Sequence, residues 1–549
     1  PIRTSAPVEA PDVIVVFHDA LLDDPATLAG MRAAGTLIFT GNGSAFTGNT
    51  IITGNVLMNG VLGGTIEVAD GGVLRGNGTL GSTRLLSGST IAPGNSVGTL
   101  NIDGDLIFES GSVYEVTVLA NGLTDHIAVT GAVTIDPGAL ITTDTLAGFT
   151  FGVRNTILSA SGGITGTFEF DETISNLPFV SSGLETSGND VVLFFGRNDT
   201  PFETLTSGRN AASVAQAADA LGAGNPLWQA LVWLDTASAP LAFEALNGEI
   251  HATHRQLVLD ETVHTRRAVT SRLAAARTEE AGSAWISGHF GGAQMGSREG
   301  VSRISADTSG VMLGLDTPVH EAARIGVMAA FGETGFNLTG QNVSGMSESR
   351  SLGVYGGGQF GGFGLSAGAI YGWHDLSTSR VVRFPGLDEH IRSSHSVDTI
   401  QLFGEASLAG PAGFEPFLSL AHVRLDTGRF DETGGASALT LDGETRQMTQ
   451  GTLGSRFAHD WQAGETALRF EGSLGWRRVF SGHRQFVAGN LSGAPVYFEG
   501  NGIDRDAAAI EAGIHIEPAG RMSLELGYAG EIGSNARNHG AEFRARWAF

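Results

Sequence analysis

The chain has 549 residues, with 80 glycines, 41% hydrophobic and 16% charged residues, no cysteine and a formal net charge of -25. It is long enough for two or more domains and too apolar to be a disordered chain. The lack of cysteine excludes disulfide staples, thiol catalysis and thiolate metal sites, and the negative charge argues against nucleic acid as a partner.

All 32 basic residues are arginine, whose fixed charge and fork of donors suit partly buried ion pairs. No window holds the roughly 18 consecutive apolar residues of a membrane helix, so a membrane location calls for a β-barrel. The chain opens at Pro1 without a start methionine or an apolar signal core, which leads us to expect that any secretory signal has already been removed. Val13-Ile14-Val15-Val16-Phe17 reads as a short buried strand.

From about Gly35 to Phe195 the pattern is many short strands broken by Gly, Asn and Asp. They include Thr36–Phe39, Thr50–Ile52, Asn55–Met58, Thr65–Val68 and Leu85-Leu86, with turns such as Asn59-Gly60, Asp70-Gly71-Gly72 and Gly76-Asn77-Gly78. That rhythm predicts a right-handed β-helix or related solenoid, with a β-sandwich as the alternative.

From Pro201 the composition changes. Ala211–Leu221 and Leu227–Leu234 read as helices. A longer helix is expected from about Pro240 to Arg277, bent near Asn247-Gly248 and reaching roughly 50 Å. Its His251, His254, Arg255, His264, Arg266, Arg267 and Arg272 are spread around the axis without a wide apolar stripe, which suits a polar tunnel better than a hydrophobic core.

After Ala284, twelve strand-like segments follow, at about 284–296, 308–319, 323–338, 349–362, 363–380, 395–412, 414–430, 446–461, 466–481, 506–518, 521–535 and 538–549. Short turns (Gly361-Gly362, Gly410–Gly413, Pro518–Gly520) alternate with polar loops at about 339–348, 381–394, 431–445 and 482–505. Short turns on one rim and long loops on the other is the plan of an outer-membrane barrel. The strand phases place Glu405, Arg424, Arg456, Arg469, Glu471, Glu525, Glu542, Arg544 and Arg546 in the lumen, gripping the helix and lining a pore or simply solvating it. In the last strand, Ala541, Phe543, Ala545, Trp547 and Phe549 share the opposite face.

Three motifs invite chemistry. Gly94-Asn95-Ser96-Val97-Gly98 matches the G-x-S-x-G nucleophile elbow, but Thr99–Ile102 continues as strand where that elbow needs a helix. His251 and His254 lie one helical turn apart without a third metal ligand, so paired or solvated histidines are the simpler reading. Asn101, Asp103, Asp105 and Glu109 superficially resemble a calcium loop, with spacing that departs from the EF-hand pattern. Asn247-Gly248 is a susceptible peptide unit; an ordinary helix break explains it as well as self-cleavage does. No catalytic constellation, metal site or cofactor is expected in this chain.

The order of parts resembles the classical (type Va) autotransporters of Gram-negative bacteria. Ala34–Asn42 with Phe46–Thr50 looks like the passenger-associated β-strand repeat. Ser89–Leu100, continuing to Gly111–Val116, looks like the junction that ends many passengers, with Ala92, Pro93, Gly94, Asn95, Ser96 and Gly98 at its centre. Leu246-Asn247-Gly248-Glu249-Ile250-His251-Ala252 looks like the L-S-G-E-I-H-A signature before the barrel, with Asn247 in place of serine. The resemblance implies that Phe543, Trp547 and Phe549 form the signal read by the outer-membrane barrel assembly machinery. It also implies that the long helix occupies the lumen. The double asparagine at which some relatives cut themselves is absent, so an uncleaved, surface-tethered passenger is expected.

The resulting expectation is an all-β chain with a helical segment: a β-helix passenger followed by a helix-plugged, 12-stranded antiparallel transmembrane barrel. Its parts are residues 1–35 (an amino-terminal segment, remnant of a larger effector or start of a short passenger), 36–198 (β-helix with the autochaperone-like junction), 199–283 (linker and plug helix) and 284–549 (barrel). The protein is expected as a monomer in the outer membrane, passenger outward, supporting its own secretion. Its partners are outer-membrane lipid, the assembly machinery, periplasmic chaperones and a host or cell-surface ligand. The alternatives are a surface adhesin or structural protein, the carrier of a secreted protease or esterase, and a diffusion porin.

Overall fold

The computed structural model describes residues 13–16, 36–119, 123–145, 153–170, 177–276, 281–297, 300–463, 466–517 and 522–549. Two compact units emerge: residues 1–200 with 232–236, and residues 201–231 with 237–549.

The first unit is a solenoid. One face is an eight-stranded sheet in the order Val13–Val16, Thr36–Phe39, Asn55–Met58, Val73–Gly76, Thr90–Pro93, Val113–Val118, Leu140–Thr145 and Glu169–Phe170, and a second, larger sheet runs beside it. All neighbours in the first sheet are parallel, which rules out the antiparallel sandwich. The register stacks Leu37, Val56, Leu74, Ile91, Tyr114, Ile141 and Phe170 in one column, and Leu74, Ile91, Tyr114 and Ile141 are completely buried. Alternation inside the short strands thus becomes a continuous core once the coils stack. The larger sheet ends in an antiparallel hairpin, Val180–Ser187 with Asp190–Arg197, which covers Arg154–Ala160. Val13 and Val15 are exposed and only Val16 is fully buried, so the first strand is a one-faced edge and not a buried strand; Phe17 and the rest of residues 1–35 lie outside the described residues.

The second unit begins with helices α1 (Arg209–Asp219), α2 (Pro226–Val232), α3 (Ser238–Ala245) and α4 (Glu249–Ala275). A closed barrel follows, formed by β1 (Ser283–Met295), β2 (Ile304–His320), β3 (Ala323–Leu338), β4 (Val343–Phe360), β5 (Phe363–Phe384), β6 (Leu387–Leu408), β7 (Phe414–Thr427), β8 (Glu444–Ala463), β9 (Thr466–Ser481), β10 (Asp506–Glu517), β11 (Met522–Gly533) and β12 (Ala536–Ala548). Closure is antiparallel, from Ser283 opposite Ala548 to Met295 opposite Ala536. Leu313, Leu315, Val327, Leu352, Val354, Leu402, Leu420, Leu453, Leu474 and Leu526 are exposed, while residues between them turn inward. An outward apolar belt with polar groups inside is the pattern of a barrel solvated by lipid.

Two sequence expectations need correction here. The loops expected at 339–348 and 381–394 are largely strand: β4 starts at Val343, and β5 and β6 continue to Phe384 and Leu387, joined at a turn where Gly386 has φ +89. Above the lipid belt both strand faces are wet, so the hydrophobic alternation stops while the backbone ladder continues. The long helix is also shorter than expected: α4 has 27 residues, about 40 Å long, and α3 is a separate helix. The loops expected at 431–445 and 482–505 contribute a four-stranded sheet of Phe430–Asp431, Leu439–Leu441, Phe486–Leu491 and Ala494–Glu499, hereafter the cap sheet.

Candidate functional site

The barrel lumen is filled by α4, and its sequence explains both its helicity and its fit. No glycine or proline interrupts Glu249–Ala275. Asn247 Oδ1 accepts the backbone N–H of Glu249 (2.9 Å), acidic Glu249 lies in the first turn, and basic Arg272 lies in the last. The whole 246–252 signature is buried, and the place of its glycine has a steric reason. A Cβ on Gly248 would come within 2.6 Å of Leu439 and 2.7 Å of Phe498, both from the cap sheet.

Side chains on every side of α4 are enclosed by strands, which accounts for the missing stripe. Ile250, Leu257, Val258 and Leu259 pack in one cluster with Ile304, Phe336, Leu376, Val397, Val423, Met448 and Val479. Ala268, Val269 and Leu273 pack in a second cluster with Trp285, Met312, Met328, Tyr355, Ile370 and Phe403. The expected polar tunnel is therefore half apolar. A residual cavity of about 50 Å³ beside Asp260, His264, His289 and Glu542 leaves space for little more than water.

Polar contacts fasten the helix at both ends and in the middle. At one end Glu249 accepts the backbone N–H of Ser302 (3.1 Å) and an amide N–H from Asn210 (3.3 Å), His251 Nε2 meets Glu432 (2.8 Å), and Arg255 pairs with Glu444 (3.2 Å). Glu432 is also gripped by Arg380 through two donors at 2.9 and 2.6 Å. Midway, Arg266 donates to Gln401, and Arg267 pairs with Glu511 (2.8 Å) and Glu542 (3.1 Å). At the other end Arg272 makes a two-pronged pair with buried Asp316 (2.8 and 2.9 Å); Asp316 also accepts from Arg324 (2.6 and 2.9 Å) and from the Tyr355 hydroxyl (3.1 Å).

The nine sequence-chosen charges divide differently. Glu542 is the one that touches the helix in these contacts. Arg456 pairs with Glu405 (2.6 Å) and Glu415 (3.4 Å), Arg544 pairs with Glu525 (2.6 Å), and Arg546 donates to Ser523 (3.0 Å); these brace neighbouring strands inside the lumen. Arg469 and Glu471 pair with each other (2.8 Å) and are about half exposed, near the short-turn rim. Arg424 is a correction: it lies outside, on the face of exposed Leu418 and Leu420, paired with Asp426 (2.8 Å). Its strand alternates Ala421, Val423 and Leu425 inward, an apolar set packed on the plug that mimics a lipid-facing row. Asp316, Arg324, Arg380, Gln401 and Glu432 were missed. Asp316 was accessible, because Leu313 and Leu315 face outward and the next residue must turn in; Glu432 lies in a loop without any such phase.

Phe543, Trp547 and Phe549 are exposed in one outward row, and the Phe549 backbone N–H donates to Gly282 O (2.9 Å). In the solenoid, Ala92, Pro93 and Gly94 are buried, while Asn95 and Ser96 are exposed on the turn into the strand Thr99–Ile102. Gly94 needs its freedom, with φ +85, and Gly98 donates to buried Asp125 (2.9 Å), which also accepts from the Thr117 backbone (2.8 Å). Burial raises the Asp125 carboxyl above its ordinary range despite these two donors. Asp103 accepts from Thr130 (3.1 Å), Asp105 accepts from the Ala132 backbone (2.8 Å), and Glu109 is paired with Arg84, so these carboxylates tie coil to coil. His254 packs edge-on to Phe336, apart from the His251–Glu432 pair. Among the described residues no group of three or more His, Asp or Glu is arranged to hold a metal ion.

A family model described as the autotransporter β-domain matches residues 284–529. Two curated proteins named "Extracellular serine protease", both from Serratia marcescens, are each 28% identical over 94% of this chain and 55% of their own length. The chain thus spans about half the length of these relatives. Among solved structures, the translocator domain of autotransporter NalP from Neisseria meningitidis covers 53% of this chain and 98% of its own, with 17% identity and a TM-score of 0.44. The β domain of the Bordetella autotransporter BrkA covers 49% and 100%, with 17% identity and a TM-score of 0.37.

Proposed function

We propose, from the premise that this chain is an outer-membrane autotransporter with its β-domain at residues 284–529, that the barrel carried its own solenoid to the cell surface and now holds α4 as the plug of the emptied pore. The observation that carries this reading is a 27-residue helix fastened at three levels inside a closed twelve-stranded barrel. A chain that threads its own barrel leaves its last segment in the lumen, and seals the pore with it if the segment fits. We assign residues 36–198 to the passenger, 199–283 to linker and plug, and 284–549 to the translocator. Phe543, Trp547 and Phe549 are the features we assign to recognition by the barrel assembly machinery, with periplasmic chaperones escorting the unfolded chain.

Proteinase K treatment of intact Gram-negative cells tests the reading. The solenoid is expected to be digested from outside in cells making the full chain, and to be protected or absent when residues 536–549 are removed. Equal surface digestion of both chains would refute barrel-dependent export. A second reading is favoured by the names of the two relatives: the solenoid and barrel serve as carrier for a serine protease. Sequencing the gene upstream of Pro1 tests it, and a coding region with no protease domain there would sink it.

A further inference from the structure

Four imidazoles line the half of α4 that starts at Glu249: His251 and His254 on the helix, His395 on β6 beside His251, and His374 on β5 beside Glu261. His254 is 1% exposed, lies edge-on to Phe336 with ring centroids 4.5 Å apart, and neither of its nitrogens has a hydrogen-bond partner. The ionisable groups acting on it are His395, His251 and His374. His395 is stacked on Phe430 at 3.6 Å and lies 6.5 Å from His251, and its Nδ1 has no partner. His374 Nε2 faces the Thr399 hydroxyl (3.0 Å), and its Nδ1 is 3.8 Å from Glu261.

The charged groups around this cluster are Arg255 and Glu261 on α4, Arg380 on β5, Glu432 in the loop after β7, and Glu444 at the start of β8. Glu432 is already engaged by Arg380, His251 and the backbone N–H of Leu439 (2.9 Å), and Glu444 by Arg255 and Arg446. Glu261 faces His374. Among the described residues, His254 therefore has aromatic rings and other imidazoles where an acceptor for a second ring proton would have to stand, and at His395 the Phe430 ring and His251 leave Nδ1 without one.

We propose that this cluster is an acid-sensitive release for the plug: protonation loosens α4 and the cap sheet against it, so that the barrel opens when the medium outside turns acid. The proposal rests on the plug reading above. A water-exposed imidazole takes up a proton below about pH 6.5, whereas a seated His254 has no acceptor for that charge. The unseated state therefore binds more protons, and the seated state loses stability as pH falls. Each histidine that stays neutral when seated shifts the balance about tenfold per pH unit below 6.5, or about 30-fold between 6.5 and 5.

Planar-bilayer recording on the full chain, with trypsin cleavage at the α4 arginines as a second readout, tests this at pH 7.5 and pH 5. Low conductance and slow cleavage are expected at pH 7.5, with a reversible rise in both at pH 5. The double variant His254→Leu, His395→Phe is expected to stay closed at both values; if it fails to assemble, His395→Phe alone should reduce the acid response about 30-fold. An unchanged acid response in the assembled variant, or a native barrel that stays shut at pH 5, would overturn the proposal. High conductance of the native chain at both pH values would instead overturn the plug reading, and the proposal with it.

Discussion

Replacing Asp316 with alanine is the sharpest test of how the plug is held. The carboxylate is enclosed completely, receives two donors each from Arg272 and Arg324, and takes a fifth from Tyr355, whose own oxygen accepts from Trp285 (2.7 Å). Removing it leaves two guanidinium groups in a site walled by aromatic rings, which costs about 3–5 kcal/mol when a buried pair loses one member. That is roughly two to four orders of magnitude in the seated population. Arg272→Met removes one cation and leaves Asp316 its Arg324 and Tyr355 partners, so a smaller loss of about 1–3 kcal/mol is expected, confined to the helix. Bilayer conductance reports seating, and heat-dependent mobility on gels reports the barrel itself. The reasoning is refuted if Asp316→Ala assembles with the closed conductance and unfolding temperature of the native chain. A barrel that unfolds while Arg272→Met leaves conductance unchanged would mean that Asp316 braces β2 against β3 and does nothing for the plug.

Three further outcomes are expected. Deleting Phe549 should sharply lower the amount of barrel recovered from the outer membrane after pulse labelling, and normal recovery would remove the assembly role of the terminal residue. Leu74→Ala opens the stacked column of the solenoid and should lower the stability of that unit in urea by about 2–5 kcal/mol, with little effect on barrel gel mobility. Asp125 gives the solenoid a pH dependence of definite sign. Its folded carboxyl is held above the unfolded value of about 3.9, so its contribution is full below that value and is lost as pH rises through the folded one. Asp125→Asn should therefore flatten the decline in stability from acid towards neutral pH measured by circular dichroism, and an unaltered profile would assign the decline elsewhere.

The barrel was legible because lipid imposes a strict rule on every strand that meets it. Phe543, Trp547 and Phe549 of the last strand could be read as one outward face without knowing their neighbours. Arg424 shows where the rule fails. At the wet rim an arginine can stand outside beside Asp426 while Val423 and Leu425 turn in against the plug, so apolar no longer means lipid-facing. The same loss of alternation hid the upper halves of β4, β5 and β6. In the solenoid the coil rhythm carried the fold, but the core column from Leu37 to Phe170 is a product of stacking, with partners 17 to 29 residues apart. The plug contacts were the least legible, since Glu432 reaches His251 across 181 residues and sits in a loop with no periodicity to set its direction.

The length of α4 explains why its fastenings lie where they do. A helix of about 40 Å overspans an apolar belt about 25 Å tall, so both ends emerge from the lipid-encircled part of the barrel. Asp316 and Arg324 hold the end at the short-turn rim; Glu249, Glu432 and Glu444 hold the other, where the cap sheet closes over Gly248. The two locks share no residue and are separated by the Arg267 pairs midway, so their effects on seating should add. In the proposal acid acts at the end that carries His251 and His254, whereas Asp316→Ala acts at the arginine end. Combining the substitution with pH 5 should therefore multiply the two increases in open population. A combined effect no larger than either alone would mean that the helix leaves as one rigid body after a single lock fails.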